Sequence, residues 1–256
     1  MGLISDDVWA QIAPVFALRF PCEGIVAVMP DMTWRELENT AADPLRHFDL
    51  SFADKAELAT NPPLALIHSH PNGNQEPSDA DTISALSTGW TWGISVVHGL
   101  PETGEVFSVG YPEFWGDAVP IPPLLGRRYL WGVRDCWSVC RDYYRLKGHE
   151  LKDVPRSRDP SLYPSGHPQS SPFRFYPPSV GFEPLDSWLD RRPGDFVTLC
   201  WRDHVPNHCA IYLGNSKLLH QPRDQASSEW TVNNETTLYT NMSAKFYRLK
   251  GSNATS

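Results

Sequence analysis

Acidic and basic residues are distributed unevenly along the chain, and a proline-rich segment separates the two parts. Residues 1–115 contain 4 Lys and Arg against 16 Asp and Glu, whereas residues 116–256 contain 18 against 14. Four prolines fall between Pro112 and Pro123, and proline disfavours both helices and central strands. The length of 256 residues suits two domains of modest size. We therefore predict a first domain over 1–115, a linker over 116–121, a second domain over 122–250 and a tail over 251–256.

Composition excludes several classes of protein. Apolar residues make up 41% of the chain and charged residues 20%, which suffices for a buried core and is unlike a disordered chain. The net charge of −8 argues against nucleic-acid binding and against a basic membrane-surface protein. Apolar runs are too short for a membrane span, and Asp6 and Asp7 do not fit a secretory signal. Five cysteines without a repeated short spacing favour a reducing compartment over a disulfide framework.

The first part of the sequence alternates between helix and strand patterns. Residues 5–19 have the apolar spacing of a helix that is capped by its first serine. Ser78 can cap a second helix, because two acids follow it within the first turn. Short apolar runs bounded by turn residues favour buried strands at 24–30, 64–71 and 94–100. We therefore expect an α/β arrangement in the first domain.

The second part begins with a helix pattern and continues with strands. Asp135 precedes the helix pattern, and Gly148 closes it. Seven prolines fall within 155–180, where we expect a long ordered loop outside the core. Short β-like runs follow at 195–201, 208–214 and 217–221. One helix followed by several strands is typical of an α+β domain, so we predict a two-domain chain of the α+β class.

Two histidines and a carboxylate are spaced so that they can share a metal ion. His68 and His70 stand at the end of an apolar strand, where alternate side chains point to the same side. Asp81 lies one turn into the next predicted helix and can add an oxygen ligand. Catalytic zinc is usually held by such a set, with a fourth position left for water. Ser78 can then donate a hydrogen bond to a developing oxyanion, although a His-x-His pair alone also fits two exposed histidines near a turn.

This ordered His-x-His, Ser and Asp pattern resembles the JAB/MPN (JAMM) zinc metallopeptidases over residues 1 to about 115. The resemblance implies that both histidines and the aspartate bind one Zn²⁺ and that the serine assists catalysis. The family also uses a glutamate as general base, typically three residues before a glycine, but here that position holds Pro21. The nearest acid, Glu23, would face the same side of an extended strand. Glu23 is therefore the candidate base, and a site whose base cannot reach the water would bind zinc without turnover.

A cysteine stands at the predicted start of a helix in the second part. The N-terminus of a helix favours a thiolate over a thiol, and a nearby imidazolium favours it further. His208 begins a predicted strand, and His220 lies on the next one. Cys136 as nucleophile, His208 as base and His220 as the group that orients the base form a complete thiol-hydrolase set. The other four cysteines fit buried, inert thiols.

The order of motifs in the second part resembles that of NlpC-type papain-like cysteine peptidases, over residues from about 122 to 250. The motifs are Tyr-Leu-Trp-Gly from Tyr129, Asp-Cys-Trp-Ser, Arg-Pro-Gly-Asp, Asn-His-Cys-Ala-Ile-Tyr-Leu-Gly and a later histidine. The resemblance implies that Cys136, His208 and His220 carry catalysis. It also implies that Tyr129 helps to line the oxyanion region. The implied substrate is a peptidoglycan stem peptide, commonly cleaved at the γ-D-glutamyl–diamino-acid bond.

A JAMM-like part followed directly by an NlpC-like part resembles the tail tip assembly proteins of lambda-like bacteriophages. This resemblance implies synthesis in the host cytoplasm, assembly with other tail tip proteins and a place at the virion tail tip. Three functions follow as hypotheses. The first is a hydrolase that has a zinc peptidase site and a cysteine endopeptidase acting on peptidoglycan. The second is an assembly factor in which one or both sites are inactive, and the third is an isopeptidase that processes another phage or host protein at the zinc site.

Overall fold

The computed structural model of the protein describes residues 2–251. The chain divides into two compact units, an N-terminal unit up to Pro120 and a C-terminal unit from Ile121 onward. This division lies inside the segment predicted as a linker. The predicted tail lies outside the described residues, except for Gly251. None of the helices within residues 2–251 is long and apolar enough to cross a membrane.

The N-terminal unit consists of one mixed sheet with helices on both faces. Its helices are α1 (Asp6–Arg19), α2 (Phe52–Thr60) and α3 (Asp79–Thr88). Its strands are β1 (Ile25–Val28), β2 (Trp34–Leu37), β3 (Ala65–Pro71), β4 (Trp92–Leu100), β5 (Glu105–Val109) and β6 (Glu113–Trp115). The strand order is β2-β1-β3-β4-β5, and β6 also pairs with β4. Strands β3 and β4 run parallel, and this direction requires the crossover that α3 supplies.

Helix α1 covers one face of this sheet. It begins where the Ser5 hydroxyl accepts a hydrogen bond from the backbone N–H of Val8, as the sequence predicted. Ile12 and Phe16 are fully buried against apolar side chains of β1 and β3. At Gly24, just before β1, an added Cβ would lie 2.9 Å from the Phe16 ring. The close approach of α1 to the start of β1 therefore needs glycine at this position.

Helices α2 and α3 cover the opposite face, where Leu58 and Ala85 pack with Ile25 and Leu66. Side chains alternate along β3, so the two histidines that follow Leu66 at even positions also point to this face. The sequence patterns did not predict α2, β2, β5 or β6. Strand β2 reads Trp-Arg-Glu-Leu, and such a polar sequence is permitted because β2 lies at the edge of the sheet.

The C-terminal unit contains a second six-stranded sheet with the order β11-β10-β9-β8-β12-β7. Its helices are α4 (Cys136–Arg145), α5 (Pro172–Ser179) and α6 (Glu235–Thr240). Its strands are β7 (Phe182–Pro184), β8 (Phe196–Leu199), β9 (His208–Gly214), β10 (Lys217–His220), β11 (Ser228–Thr231) and β12 (Lys245–Leu249). All of these strand pairs are antiparallel. The α+β class is confirmed, but the expected order of one helix followed only by strands is wrong, because α5 precedes the first strand and α6 lies between β11 and β12.

Helix α4 packs on one face of the second sheet and forms the larger core of this unit. Val139 and Cys140 are fully buried there against Phe196 and Ile211. The helix ends at Arg145, and Gly148 adopts a φ of +82° that completes the turn which the sequence predicted. The start of α4 thereby lies against the strands that carry the candidate histidines.

The proline-rich segment 155–180 corrects one expectation, because it is not only a loop outside the core. It contains two short 3-10 turns and helix α5, which begin at Pro160, Pro168 and Pro172. Proline is well suited to the first position of a helix, where its missing N–H would have no partner within the helix. Side chains of α5 pack against the core beneath α4. Part of the segment therefore belongs to the core of the C-terminal unit.

The contact between α1 and the first sheet provides a test of this packing. Phe16→Ala removes a side chain that is 0% exposed and should lower the free energy of unfolding of the N-terminal unit by about 3–5 kcal/mol. The matched control is Phe52→Ala, because Phe52 is 88% exposed and its truncation should cost less than about 0.5 kcal/mol. Urea denaturation measures both values. Equal losses for the two variants would contradict the packing described here.

Candidate functional site

His68 and His70, near the end of β3, and Asp81, in the first turn of α3, form a group that could hold a metal ion, and this group is called the metal cluster. The two histidine Nε2 atoms lie 3.1 Å apart. The Asp81 carboxylate oxygens lie 3.5 Å from the His68 Nε2 atom and 3.7 Å from the His70 Nε2 atom. One ligand atom from each residue lies within 4.8 Å of the others. The structure thus brings together the three residues predicted to bind a metal.

These distances fit a tetrahedral zinc ion. Zinc bonds to nitrogen and oxygen of about 2.0–2.2 Å place neighbouring tetrahedral ligand atoms about 3.3–3.6 Å apart. The distances within the metal cluster lie close to that range. Two nitrogens and one carboxylate also match the donor set of catalytic zinc sites, which keep one position open. The residues present therefore fit this metal.

The start of α3 holds the carboxylate of the metal cluster in place. Ser78 is the N-cap of α3, and its hydroxyl accepts a hydrogen bond from the Asp81 N–H. In return, the Asp81 carboxylate accepts a 2.7 Å hydrogen bond from the Ser78 N–H. This reciprocal pair is a capping box, and it directs Asp81 towards the histidines. The predicted cap is confirmed, and the exposed Ser78 side chain lies beside the metal cluster.

Different contacts fix the two histidine rings. The His70 Nδ1 atom donates a 2.8 Å hydrogen bond to the carbonyl of Asn74, which leaves the Nε2 lone pair free for a metal. The His68 ring lies against Phe48 and Trp92, with centroid distances of 4.6 and 6.0 Å. Its Nδ1 atom is buried without a hydrogen-bond partner among residues 2–251. Packing therefore holds His68, whereas a hydrogen bond holds His70.

The groups of the metal cluster differ in how readily they bind a proton. Burial would lower the pKa of His70, but the Asp81 carboxylate raises it, so a metal would compete with a proton at this ring. Burial lowers the pKa of His68, so this ring is neutral and can act as a ligand. Burial would raise the pKa of Asp81, but the rings of His68 and His70 and the hydrogen bond from Ser78 lower it below its usual range. Asp81 is therefore ionised. A neutral imidazole beside a carboxylate is the protonation state that metal binding requires.

Glu23 lies beside the metal cluster, two residues before β1 rather than on it. Ile25 pairs with His68 across the sheet, and Gly24 exchanges hydrogen bonds with Ser69. Continuing this register places Glu23 opposite His70, on the same face. Burial raises the pKa of Glu23 to about 7, so this carboxyl group can take up a proton near neutral pH. Glu23, His70, Ser78 and Asp81 line one cleft of about 1080 Å³.

Cys136 begins helix α4, and a second capping box closes this helix start. The Asp135 carboxylate accepts a hydrogen bond of 2.9 Å from the Ser138 N–H. The Ser138 hydroxyl oxygen accepts one of 2.6 Å from the Asp135 N–H. Cys136 itself is half-buried. The predicted helix start is present, and Cys136 stands at its first position with part of its surface exposed.

The two candidate histidines of the C-terminal unit contact each other. The Nε2 atom of His208 lies 3.1 Å from the Nδ1 atom of His220, a hydrogen bond between the two rings. Burial lowers the pKa of His220 to about 4, so His220 is neutral at physiological pH. Its neutral ring can orient His208 without competing for a proton. His208 also interacts with the Cys136 thiol, so Cys136, His208 and His220 form one thiol site.

The surroundings of Cys136 differ from the expectation of a thiolate at rest. A hydrogen bond with Cys209 and burial raise the pKa of Cys136 well above its ordinary value, and His208 only partly opposes this. Cys209 lies next to His208 on β9, and its sulfur lies 3.9 Å from that of Cys140 on α4. These surroundings therefore favour the thiol form of Cys136 over the thiolate. His208 has to remove the proton as the thiol reacts.

Tyr129 is half-buried near the nucleophile. Burial raises its pKa, and the charges of Asp135 and Cys136 add to this effect. The phenol therefore keeps its proton and can donate a hydrogen bond. This state is the one that the predicted oxyanion role requires.

Sequence reasoning missed the aromatic side chains that surround the thiol site. Trp201 lies 5.2 Å from the His208 ring and 5.5 Å from the His220 ring, between ring centroids. Trp230 stacks on His220 at 5.7 Å. The Asn207 side chain bonds the backbone N–H and carbonyl of Trp201 and so fixes the loop before His208. No periodic pattern marks these positions, and the abundance of tryptophan, 10 residues in the chain, was the only available signal.

Comparison with known proteins matches each unit to a family. Residues 20–109 match the prokaryotic homologs of the JAB domain, and residues 126–248 match the NlpC/P60 family. The structure of NlpC1 from Trichomonas vaginalis is similar at 17% identity and a TM-score of 0.31, over 49% of this chain and 39% of that one. An NlpC/P60 family protein from Bacillus cereus ATCC 10987 is similar at 14% identity and a TM-score of 0.31, over 90% and 64%. These scores are too low to carry an argument about the fold.

The family matches and the observed elements define an α+β protein with a JAB-like domain followed by an NlpC/P60 domain. Tail tip assembly protein K of Escherichia phage lambda is 32% identical over 169 residues, which cover 64% of this chain and 72% of that protein. Tail tip assembly protein K of Escherichia phage N15 is 30% identical over 220 residues, which cover 80% and 79%. The chain belongs to the tail tip assembly protein K family.

The buried His220 makes the stability of the C-terminal unit depend on pH. Its pKa is about 4 in the folded state against 6.5 as the ordinary value, so between these pH values the unfolded chain binds a proton that the folded one does not. Stability should therefore fall as the pH falls from 6.5 to 4, by up to roughly 3 kcal/mol from this group. His220→Gln should lack this loss in urea denaturation across the pH range. The matched control is His204→Gln, at an exposed histidine, and a variant His220→Gln with the wild-type slope would contradict the assignment.

Proposed function

We propose that this tail tip assembly protein is also a cysteine endopeptidase that cleaves peptidoglycan stem peptides. The observation that carries the proposal is the contact of His208 with both His220 and the Cys136 thiol. Membership of the NlpC/P60 family supports a hydrolase. The peptidoglycan substrate follows from the resemblance to NlpC-type peptidases. Synthesis in the host cytoplasm and assembly with other tail tip proteins belong to the same proposal.

The thiol site can carry out acyl transfer through its own residues. His208 takes the thiol proton as the Cys136 sulfur attacks the peptide carbonyl carbon, and the Tyr129 hydroxyl donates a hydrogen bond to the oxygen that gains charge. The C–N bond then breaks, and His208 gives its proton to the leaving amine. A water molecule, deprotonated by His208, attacks the thioester and releases the acid and the free thiol. His220 holds the His208 ring in position throughout.

Removing the nucleophile tests this proposal. Cys136→Ala should reduce the release of stem-peptide fragments from purified muropeptides at least about 1000-fold, because the acyl step has no substitute group. Fragment release is measured by chromatography and mass spectrometry. His204→Ala is the matched control at an exposed histidine and should keep full activity. Unchanged fragment release by Cys136→Ala would refute the mechanism.

In the N-terminal unit, His68, His70 and Asp81 would hold one Zn²⁺. When bound, zinc would supply Lewis-acid chemistry for the hydrolysis of a peptide or isopeptide bond. Glu23, with its pKa near 7, would take the proton of the attacking water. The Ser78 hydroxyl would donate a hydrogen bond to the developing oxyanion. The support for this part is the geometry of the metal cluster and the position of Glu23 opposite His70.

Metal binding provides a separate test. The purified wild type should contain one zinc per chain by elemental analysis, and His70→Ala should lose it. The loss of affinity in chelator competition should exceed the roughly 10–100-fold cost of removing an outer-shell partner. His98→Ala alters an exposed histidine of the same unit and should retain zinc, as should Glu23→Gln. Zinc bound equally by wild type and His70→Ala would contradict the assignment.

The second candidate function is an assembly factor in which one or both sites are inactive. Two features favour it, namely Pro21 at the position of the family glutamate and the contact with Cys209 and the burial that raise the pKa of Cys136. Tail assembly in infected cells separates the two functions. Normal, infectious tails from both Cys136→Ala and His70→Ala would favour the assembly factor, whereas normal tails that fail to infect would favour the peptidase.

A further inference from the structure

A buried acid lies directly before the candidate nucleophile. Asp135 is 1% exposed, and its carboxylate accepts hydrogen bonds from the N–H groups of Ser138 and Gly132. These contacts make Asp135 a good N-cap. A negative charge at this position also disfavours ionisation of the neighbouring thiol. A negative charge on Asp135 thus favours the start of α4 but disfavours ionisation of Cys136.

Arg156, from the proline-rich segment, forms an ion pair with this acid and also with Asp153, which Arg141 faces as well. The guanidinium of Arg156 is 6% exposed, and its Nε atom donates a 2.8 Å hydrogen bond to the Asp135 carboxylate. The Nη1 atom donates to the Asp153 carboxylate at 2.6 Å and to the Val154 carbonyl at 2.8 Å. Burial alone would lower the pKa of Arg156, but the two carboxylates raise it. Arg156 therefore keeps its charge inside the protein.

The same guanidinium also holds the turn before the nucleophile. Its Nη2 atom donates a 2.9 Å hydrogen bond to the Gly132 carbonyl, and the Gly132 N–H donates to Asp135. Gly132 has a φ of +75°, a left-handed conformation that favours glycine. This turn connects Tyr129 to Cys136. One arginine thus fixes both the helix start and the segment that carries the candidate oxyanion donor.

The groups that face the Cys136 thiol carry no permanent positive charge that could replace that of Arg156. His208 and Cys209 face it from β9, Cys140 from the next turn of α4 and Tyr129 from the preceding turn. Three of these four groups are neutral acids, which cannot stabilise a thiolate by charge. The fourth group, His208, can gain a positive charge by taking the thiol proton in the reaction. Arg127 also acts on the neighbouring Cys140 thiol, but Arg156 is the guanidinium that contacts the Asp135 carboxylate directly.

We propose that Arg156 is a positioning residue for the thiol site, which neutralises Asp135 and fixes the Gly132 turn so that Cys136 can ionise when it reacts. The proposal rests on the proposed function, because it assigns Cys136 as the nucleophile. It gives the proline-rich segment a role at the site. The guanidinium contacts the Asp135 carboxylate and the Gly132 carbonyl at the same time. Arginine provides this forked geometry and lysine does not.

The test follows the reaction of Cys136 with iodoacetamide against pH and quantifies the labelled peptide by mass spectrometry. Arg156→Gln should move the midpoint of the rate profile to higher pH and slow labelling at pH 7 about tenfold, since one pH unit is a tenfold change in thiolate. Arg156→Lys keeps the charge but not the fork that holds Gly132, and should recover only part of that loss. Asp135→Asn keeps a good N-cap, removes the negative charge and should move the midpoint to lower pH. In the double variant that combines Asp135→Asn with Arg156→Gln, the midpoint should return towards the wild-type value.

A control and a second variant separate this effect from loss of structure. Arg145→Gln breaks an ion pair with Asp142 at the other end of α4 and should leave the profile unchanged. If Arg156→Gln fails to fold, Asp135→Asn carries the test. An unchanged midpoint in Asp135→Asn, or equal profiles for Arg156→Gln and Arg156→Lys, would overturn the proposal. Labelling needs no peptide substrate, so a protein that cleaves no stem peptide but shows these shifts would refute the proposed function and not the role of Arg156.

Discussion

Reciprocal hydrogen bonds between a serine and an aspartate begin the two helices on which both sites depend. In α3 the serine is the N-cap and Asp81 lies three residues later, whereas in α4 Asp135 is the N-cap and Ser138 lies three residues later. Each capping box satisfies backbone N–H groups that a helix start would otherwise leave unpaired. Each also fixes a functional group, which is the Asp81 ligand in α3 and the sulfur of Cys136 in α4. In both units, the hydrogen bonds that stabilise the helix start therefore also determine the geometry of the site.

Both sites also place one histidine where burial keeps it neutral. His68 is 0% exposed beneath Phe48, and His220 is 3% exposed beneath Trp230. Desolvation lowers the pKa of each ring. A neutral His68 offers a lone pair to a metal, and a neutral His220 offers a hydrogen bond to His208. The aromatic neighbours thus exclude water from the two histidine rings. Burying these polar rings costs free energy.

The sequence was informative where local pattern and chemistry coincide. The apolar run before His68, the caps at Ser5 and Ser78 and the helix start at Cys136 each depend on neighbouring residues, and these predictions match the structure. Trp201 and Arg156 could not be predicted, because they reach the thiol site from other segments and no spacing rule marks them. Edge strand β2 was missed because its polar sequence has no burial pattern. The sequence also does not show that Cys209 would lie against Cys136, a contact that raises the pKa of the Cys136 thiol.

Charge balance explains why a metal is expected in one unit and not in the other, although both contain clustered ligand-type side chains. In the N-terminal unit, the Asp81 carboxylate lies near two histidine rings and accepts a hydrogen bond from a backbone N–H, and Glu23 adds a second carboxyl group, whose pKa burial raises to about 7. A divalent cation would balance these acids. In the C-terminal unit, Arg156 already balances Asp135, and the nearby thiols are protonated because burial raises their pKa values. A metal there would have to displace protons that burial retains, so this arrangement favours nucleophilic chemistry instead.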